Sequence, residues 1–152
     1  MAGSNQLVVF AVDDQQYALD LVSVERVVRA VEVTHLPQAP ETVLGVINFE
    51  GQVIPVVNTR KRLGLPERDI ELQDLFIIAR ENDRTLALVG DEVRPVLEMT
   101  DEQVVASEKV LPATGYVRGV AKVDEGMVII LSVSRILSSA EHDKLQKVIE
   151  AT

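Results

Sequence analysis

The chain has 152 residues, of which 47% are hydrophobic, and a formal net charge of -9. The length suits one domain, the apolar share excludes a disordered chain, and the acidic balance argues against nucleic acid or an anionic membrane as partner. There is no cysteine, which excludes disulfides and thiolate metal sites.

The first residues, Met1 to Gln6, are polar and lack the apolar core of a signal peptide. Leu7 to Val12 reads as a strand, Asp13 to Gln16 as its turn, and Tyr17 to Leu21 as the returning strand. Val24 to Val28 fits a helical turn or a strand, and periodicity alone does not separate them. Val31 to Leu36 looks extended, and Pro37 and Pro40 then interrupt regular structure.

Gly45 to Phe49 and Gln52 to Val57 form two strands around a polar corner, with Asn48 and Gly51 as turn residues and Pro55 as a kink. Asn58 is an N-cap for a short helix that Gly64 ends. Arg60-Lys61-Arg62 is the one basic run, expected to be a solvated helix face. Leu75 to Ala79 and Thr85 to Val89 form a hairpin turning at Asn82-Asp83. Val93 to Leu97 predicts a strand that Pro95 confines to an edge or bulge.

Residues 100 to 115 read as a loop. Tyr116 to Val123 and Met127 to Val133 bracket a hairpin turn at Asp124-Glu125-Gly126. Ser138 and Glu141 have capping-box spacing, and Leu145, Val148 and Ile149 share one face of the helix that follows. About ten short strands at this spacing predict a mainly β barrel or sandwich.

Catalytic signatures are missing. The chain has no G-x-S-x-G elbow, no phosphate-cradling glycine loop and no dinucleotide fingerprint. His35 and His142 have no motif spacing, and His142 is expected on the exposed side of its helix. The doublets Asp13-Asp14, Asp91-Glu92, Asp101-Glu102 and Asp124-Glu125 are adjacent residues, which point apart on a strand and suit turns better than acid–base pairs. Five aromatic residues, none of them tryptophan, make a poor stacking platform. The residues therefore describe a β-rich binding module without catalytic residues, cofactor or metal.

From Tyr17 to Leu65 the sequence resembles the CheW-like domain of bacterial chemotaxis couplers. The resemblance is carried by Tyr17-Ala18-Leu19-Asp20, Val24 to Val28, Leu36-Pro37-Gln38-Ala39-Pro40 and the run Gly45 to Val57. Asp91-Glu92-Val93, Tyr116 to Lys122 and Met127 to Leu137 extend it over nearly the whole chain. It implies a mainly β fold of two five-stranded SH3-like barrels with short helices and a C-terminal helix. We expect one barrel over 15–72, the other over 7–14 plus 73–137, and the helix over 138–150.

The resemblance also implies a non-enzymatic adaptor between two partners: the regulatory domain of a CheA-type histidine kinase and the cytoplasmic tip of chemoreceptors. Such a protein is cytoplasmic, recruited to receptor arrays at the inner face of the membrane without inserting into it, and monomeric when isolated. Val24, Arg26, Gly45 and Glu50 match the kinase side. Leu75, Ala87 and Val96 match the receptor side, expected as a valine-lined groove that takes a helix. Asn48, Gly51, Pro55 and Gly126 are structural turn positions. A related surface-motility pathway or a self-assembling β module is the alternative output.

The family usually writes N-L-R-G at the corner where this chain has Asn48-Phe49-Glu50-Gly51, and an acidic residue where this chain has Arg26. The family's ion pair is thus expected here with both charges inverted. A one-residue slip would instead bring Glu25 to the acidic position.

Overall fold

The computed structural model describes residues 4–106, 115–123 and 126–151. Its strands are β1 (Ser4–Val12), β2 (Gln15–Asp20), β3 (Val24–Arg29), β4 (Val43–Phe49), β5 (Gln52–Val57), β6 (Leu75–Glu81) and β7 (Arg84–Gly90), then β8 (Glu92–Val93), β9 (Leu97–Thr100), β10 (Val104–Ala106), β11 (Val117–Val123) and β12 (Gly126–Leu131). Among the described residues two α-helices join them, α1 (Thr59–Leu63) and α2 (Ser139–Ala151). The ambiguous segment after Ser23 is strand β3. The predicted strand at 93–97 is split, because Arg94-Pro95-Val96 stands outside both β8 and β9. Proline has no N–H for a ladder. The expected loop over 100–115 contains β10, and its residues 107–114 lie outside those described, as does the predicted turn at Asp124-Glu125. Gly126 opens β12 at φ 131°.

The strands form two sheets, as the SH3-like fold class requires. The first runs β10-β11-β12-β2-β1-β8, with β9 also on β1, and the second runs β3-β6-β7-β5-β4. Neither hydrogen-bond ladder closes on itself among the described residues. The expected boundaries need correction. β2 belongs to the first sheet, and the β6–β7 hairpin to the second. The reason is pairing: β2 lies antiparallel on β1 from Leu7↔Asp20 to Val12↔Gln15, while β6 takes β3 through Val27↔Ile77. The second sheet is therefore one continuous stretch of chain, inserted between β2 and β8 of the first.

Side-chain alternation then builds three apolar clusters. On β6, Phe76 and Ile78 fill the second sheet's own cluster with Ile47, Ile54 and Val56, while Ile77 and Ala79 point to a central cluster. On β1, Leu7 and Val9 fill the first sheet's cluster, and Phe10 and Val12 join the central one. Successive residues on a strand face opposite sides, so these strands are buried on both faces. That is why their sequences are unbroken apolar runs rather than alternating ones. Phe10 and Tyr17, cross-strand partners, stack at 5.9 Å in the central cluster.

Helix α2 closes the central cluster with Leu145, Val148 and Ile149. Its capping box forms in both directions: the Ser138 amide donates to Glu141 Oε1 at 2.8 Å, and the Glu141 amide to Ser138 Oγ at 3.1 Å. At α1, Asn58 Oδ1 accepts from the Lys61 amide at 3.2 Å, and Gly64 ends the helix at φ 74°.

Polar groups tie the two sheets together where the chain crosses between them. Asp91 follows β7, and its amide donates to the Ala11 carbonyl at 2.8 Å. Its carboxylate receives the Asp13 amide at 2.7 Å, Arg60 at 3.2 Å and Arg68 at 2.8 Å. Arg68 also grips Asp74 with two parallel bonds of 2.8 Å, a geometry that charge assistance makes strong. The Asp74 residue is 1% exposed. Burial alone would raise its pKa, but Arg68 and the Glu71 amide outweigh it and hold the carboxyl below its usual value.

Gly45 has a stricter requirement. A Cβ there would lie 2.2 Å from the Thr34 carbonyl oxygen, because Thr34 and Val46 exchange backbone hydrogen bonds of 2.8 and 2.9 Å directly beside it. Gly45→Ala is therefore expected to cost about 2–3 kcal/mol in urea unfolding, as overpacking against backbone does. A loss under about 0.5 kcal/mol, typical of a neutral surface site, would contradict the close approach. For Asp74, a folded pKa below the unfolded one means that its contribution is complete above the unfolded value of about 3.9 and disappears as pH falls through the folded value. Asp74→Asn is expected to be less stable at pH 7 and to lose less on acidification than the parent. Parallel stability–pH curves from pH 7 to 3 would contradict this.

Candidate partner-binding site

Arg26 lies just past an irregularity in β3: Val24 pairs with Ala79 and Arg26 with Ile78, which leaves Glu25 in a bulge. The β4–β5 corner is a two-residue turn closed by Phe49↔Gln52, with Glu50 at φ 52° and Gly51 at φ 83°. Two positive φ values mark a type I′ hairpin turn, which favours Asn-Gly over Glu-Gly. Asn48 Oδ1 accepts from the Gly51 amide at 3.1 Å and fixes the approach.

β3 and β4 are the two edges of the second sheet, yet their side chains meet. Arg26 Nη1 donates to Glu50 Oε1 at 3.1 Å, and the guanidinium carbon sits 5.5 Å from the centre of the Phe49 ring. The pair and the Thr34–Val46 bridge draw together the edges that the ladder leaves apart. The expected inverted pair is thus present, and the partner of Glu50 is Arg26, not Glu25. Its side chains are 56% and 65% exposed, so the pair contributes only about 0–1 kcal/mol to stability.

The other expected contact residues divide by burial. Val24 is half-buried against the central cluster. Gly45 is buried under Thr34 and has no side chain to present, so it acts by letting residues 33–34 lie on β4. Leu75 is half-buried at the start of β6, and Val96 is 52% exposed. Ala87 requires correction as a contact residue: it is 0% exposed, packed inside the second sheet's cluster with Phe76 and Ile78. On β7 it alternates with Leu86 and Leu88, which face the central cluster, so both faces of the strand are buried here. Pro55 pairs with Val46 inside β5, next to a parallel ladder to β7 that consists of Val56↔Ala87. Beside Val96 lies a groove of about 260 Å³ whose lining includes Val9, Pro95, Leu97, Val123 and Val128.

Two other expectations change. In the Arg60-Lys61-Arg62 run only Lys61 is on the expected solvated face. Arg60 is 12% exposed at its side chain and pairs with Asp13 at 2.8 Å, and Arg62 pairs with Glu141 of α2. Their partners are distant in sequence, so no local pattern marks them. His142 is half-buried, with Nε2 enclosed and without a hydrogen bond. Its position next to Glu141 turns it toward the β6–β7 hairpin once α2 docks. Among the described residues no group of three or more His, Asp or Glu could hold a metal ion, and no helix is long and apolar enough to cross a membrane.

The model of the CheW-like domain matches residues 6–141. The chain is 30% identical to the chemotaxis protein CheW of Treponema pallidum over 146 residues, covering 92% of this chain and 86% of that protein. It is also 30% identical to the Thermotoga maritima chemotaxis protein CheW, with 84% of each chain covered. The crystal structure of the scaffolding protein TtCheW from Thermoanaerobacter tengcongensis superimposes with a TM-score of 0.82 at 29% identity, over 91% of this chain and 96% of that one. With the domain matched over most of its length and the fold shared at that score, the chain belongs to the CheW-like family of non-catalytic scaffold proteins.

Proposed function

We propose that this protein couples the cytoplasmic tips of chemoreceptors to the regulatory domain of a CheA-type histidine kinase. It acts in the cytoplasm at receptor arrays on the inner face of the membrane and is monomeric when isolated. The observation that carries this reading is the fold shared with a scaffolding CheW protein over nearly the full length of both chains. The kinase side is the face around Arg26 and Glu50, with Val24 at its base. The receptor side is the valine-lined groove beside Val96, which suits an apolar helix face. Leu75, on β6 of the second sheet, is a further receptor-side position outside that groove, and Ala87 acts only by packing inside the second sheet's cluster. Adaptor interfaces of this transient kind bury less than about 1,200 Å², so a few charged groups weigh heavily in partner choice.

The inverted pair gives this coupler its own partner set. A kinase group that meets an arginine in other members meets Glu50 here, and like charges across an interface penalise the wrong partner. Calorimetry with the cognate kinase regulatory domain tests both levels. Wild-type protein should bind, and absence of binding would overturn the coupling role. The double variant Arg26→Glu with Glu50→Arg should keep its melting temperature, since attraction is preserved, while affinity falls about tenfold or more. Glu50→Asn separates turn from charge: Asn suits the type I′ position, so stability should hold while affinity falls. Equal affinities across the three proteins would contradict the specificity claim.

A further inference from the structure

A cleft of about 540 Å³ opens where α1, the β6–β7 hairpin and the start of α2 converge, and its lining includes Arg62, Arg84, Arg135, Ser134, Ser138 and Ser139. The volume lies within the range of small-molecule sites. Its lining has three arginines and no carboxylate, on a protein of net charge -9. Two other arginine-bearing cavities differ: the one at Arg60 and Arg68 contains Asp74, and the one beside His142 contains Asp83. The groove beside Val96 also has no carboxylate but holds a single arginine, Arg94.

Arg62 and Arg84 are held in place but only partly neutralised, and Arg135 is exposed. Arg62 pairs with Glu141, stacks over Tyr116 at 5.8 Å and receives the Tyr116 hydroxyl at its carbonyl at 3.0 Å. Its Nε is enclosed and has no hydrogen-bond partner. Arg84 donates from Nη1 to the Ser134 carbonyl at 3.1 Å, and neither it nor Arg135 pairs with a carboxylate among the described residues. The positive field reaches His142, whose pKa is lowered first by burial and then by Arg84. The capping box satisfies the Ser138 and Glu141 amides. The amides of Ser139 and Ala140, at the first two positions of α2, have no intrahelical acceptor by position, and the helix dipole there favours negative charge.

We propose that this cleft is an oxyanion site for a phosphate-bearing small molecule, with Arg84 and Arg135 as the charge-pairing groups, Arg62 as a fixed third, and the Ser138 and Ser139 hydroxyls and free α2 amides as neutral donors. Guanidinium forks match phosphoryl oxygens in a bidentate way. Neither Arg26 nor Glu50 lines the cleft, and occupancy fastens α1, the hairpin and α2 to one ligand.

The test is calorimetric titration of the full chain with inorganic pyrophosphate, against sodium chloride at matched ionic strength. Saturable binding is expected with pyrophosphate and not with chloride. Arg135→Ala, at an exposed position, and Arg84→Gln should each weaken binding about tenfold or more, the loss of one charged hydrogen-bonding group. In the wild type, the Ser139 and Ala140 amide resonances should shift with the calorimetric midpoint. Should Arg84→Gln fail to fold, Arg135→Ala and the amide shifts decide the matter. Equal responses to chloride and pyrophosphate, an Arg135→Ala variant that binds like wild type, or shifts confined to other surfaces would each overturn the proposal.

Discussion

The central apolar cluster is the constraint on which the rest of the molecule depends. Phe10, Tyr17 and Leu19 come to it from the first sheet, Ile77, Leu86 and Leu88 from the second, and Leu145 from α2. Because β1, β2, β6, β7 and β12 have apolar residues on both faces, neither sheet can lose its partner without exposing one whole row of side chains. At about 25 cal/mol per Å² of apolar surface, that exposure is far too costly for the sheets to separate freely. An adaptor gains from this arrangement. In the proposed coupling role, partners docked on different sheets would be held in a fixed relation by packing, not by a flexible linker.

The Asp91 hub reinforces the junction with polar contacts. Asp13, Arg60, Arg68 and Asp74 meet where the chain passes from β7 back to the first sheet. The part-buried members matter more than exposed pairs, because removing one partner leaves another charge without compensation. The Arg26–Glu50 pair is the opposite case. It is exposed and adds little stability, which frees its sign to vary. Reversing both charges preserves the local contact and changes what a docking surface meets. A position of that kind can alter partner choice while the fold stays intact.

Most of the fold was legible in the sequence, for physical reasons. Unbroken apolar runs such as Leu75 to Ala79 announce strands buried on both sides, and Asn82-Asp83 and Glu50-Gly51 mark hairpin corners. Ser138 with Glu141 announces the cap of α2. The sheet assignment was not legible, because the choice of whether β6 pairs with β3 or joins the first sheet depends on long-range register. The clamp roles of Arg60 and Arg62 were hidden for the same reason: Asp13 and Glu141 are far away along the chain. At the candidate site, the charge pair could be read from the family corner pattern. The burial of Gly45 and Ala87 could not, because small residues look alike in sequence whether they line a surface or fill a core.

The direct test of the account is whether the two sheets behave as one cooperative unit. Amide exchange read residue by residue through urea unfolding measures this in a single experiment. A shared core predicts that β1 and β12 of the first sheet and β6 and β7 of the second open with the same free energy and the same dependence on urea. If the β3–β7 stretch opened at markedly lower urea while the first sheet stayed protected, the sheets would be separate units. The claim that one core fixes the geometry of two docking faces would then be wrong.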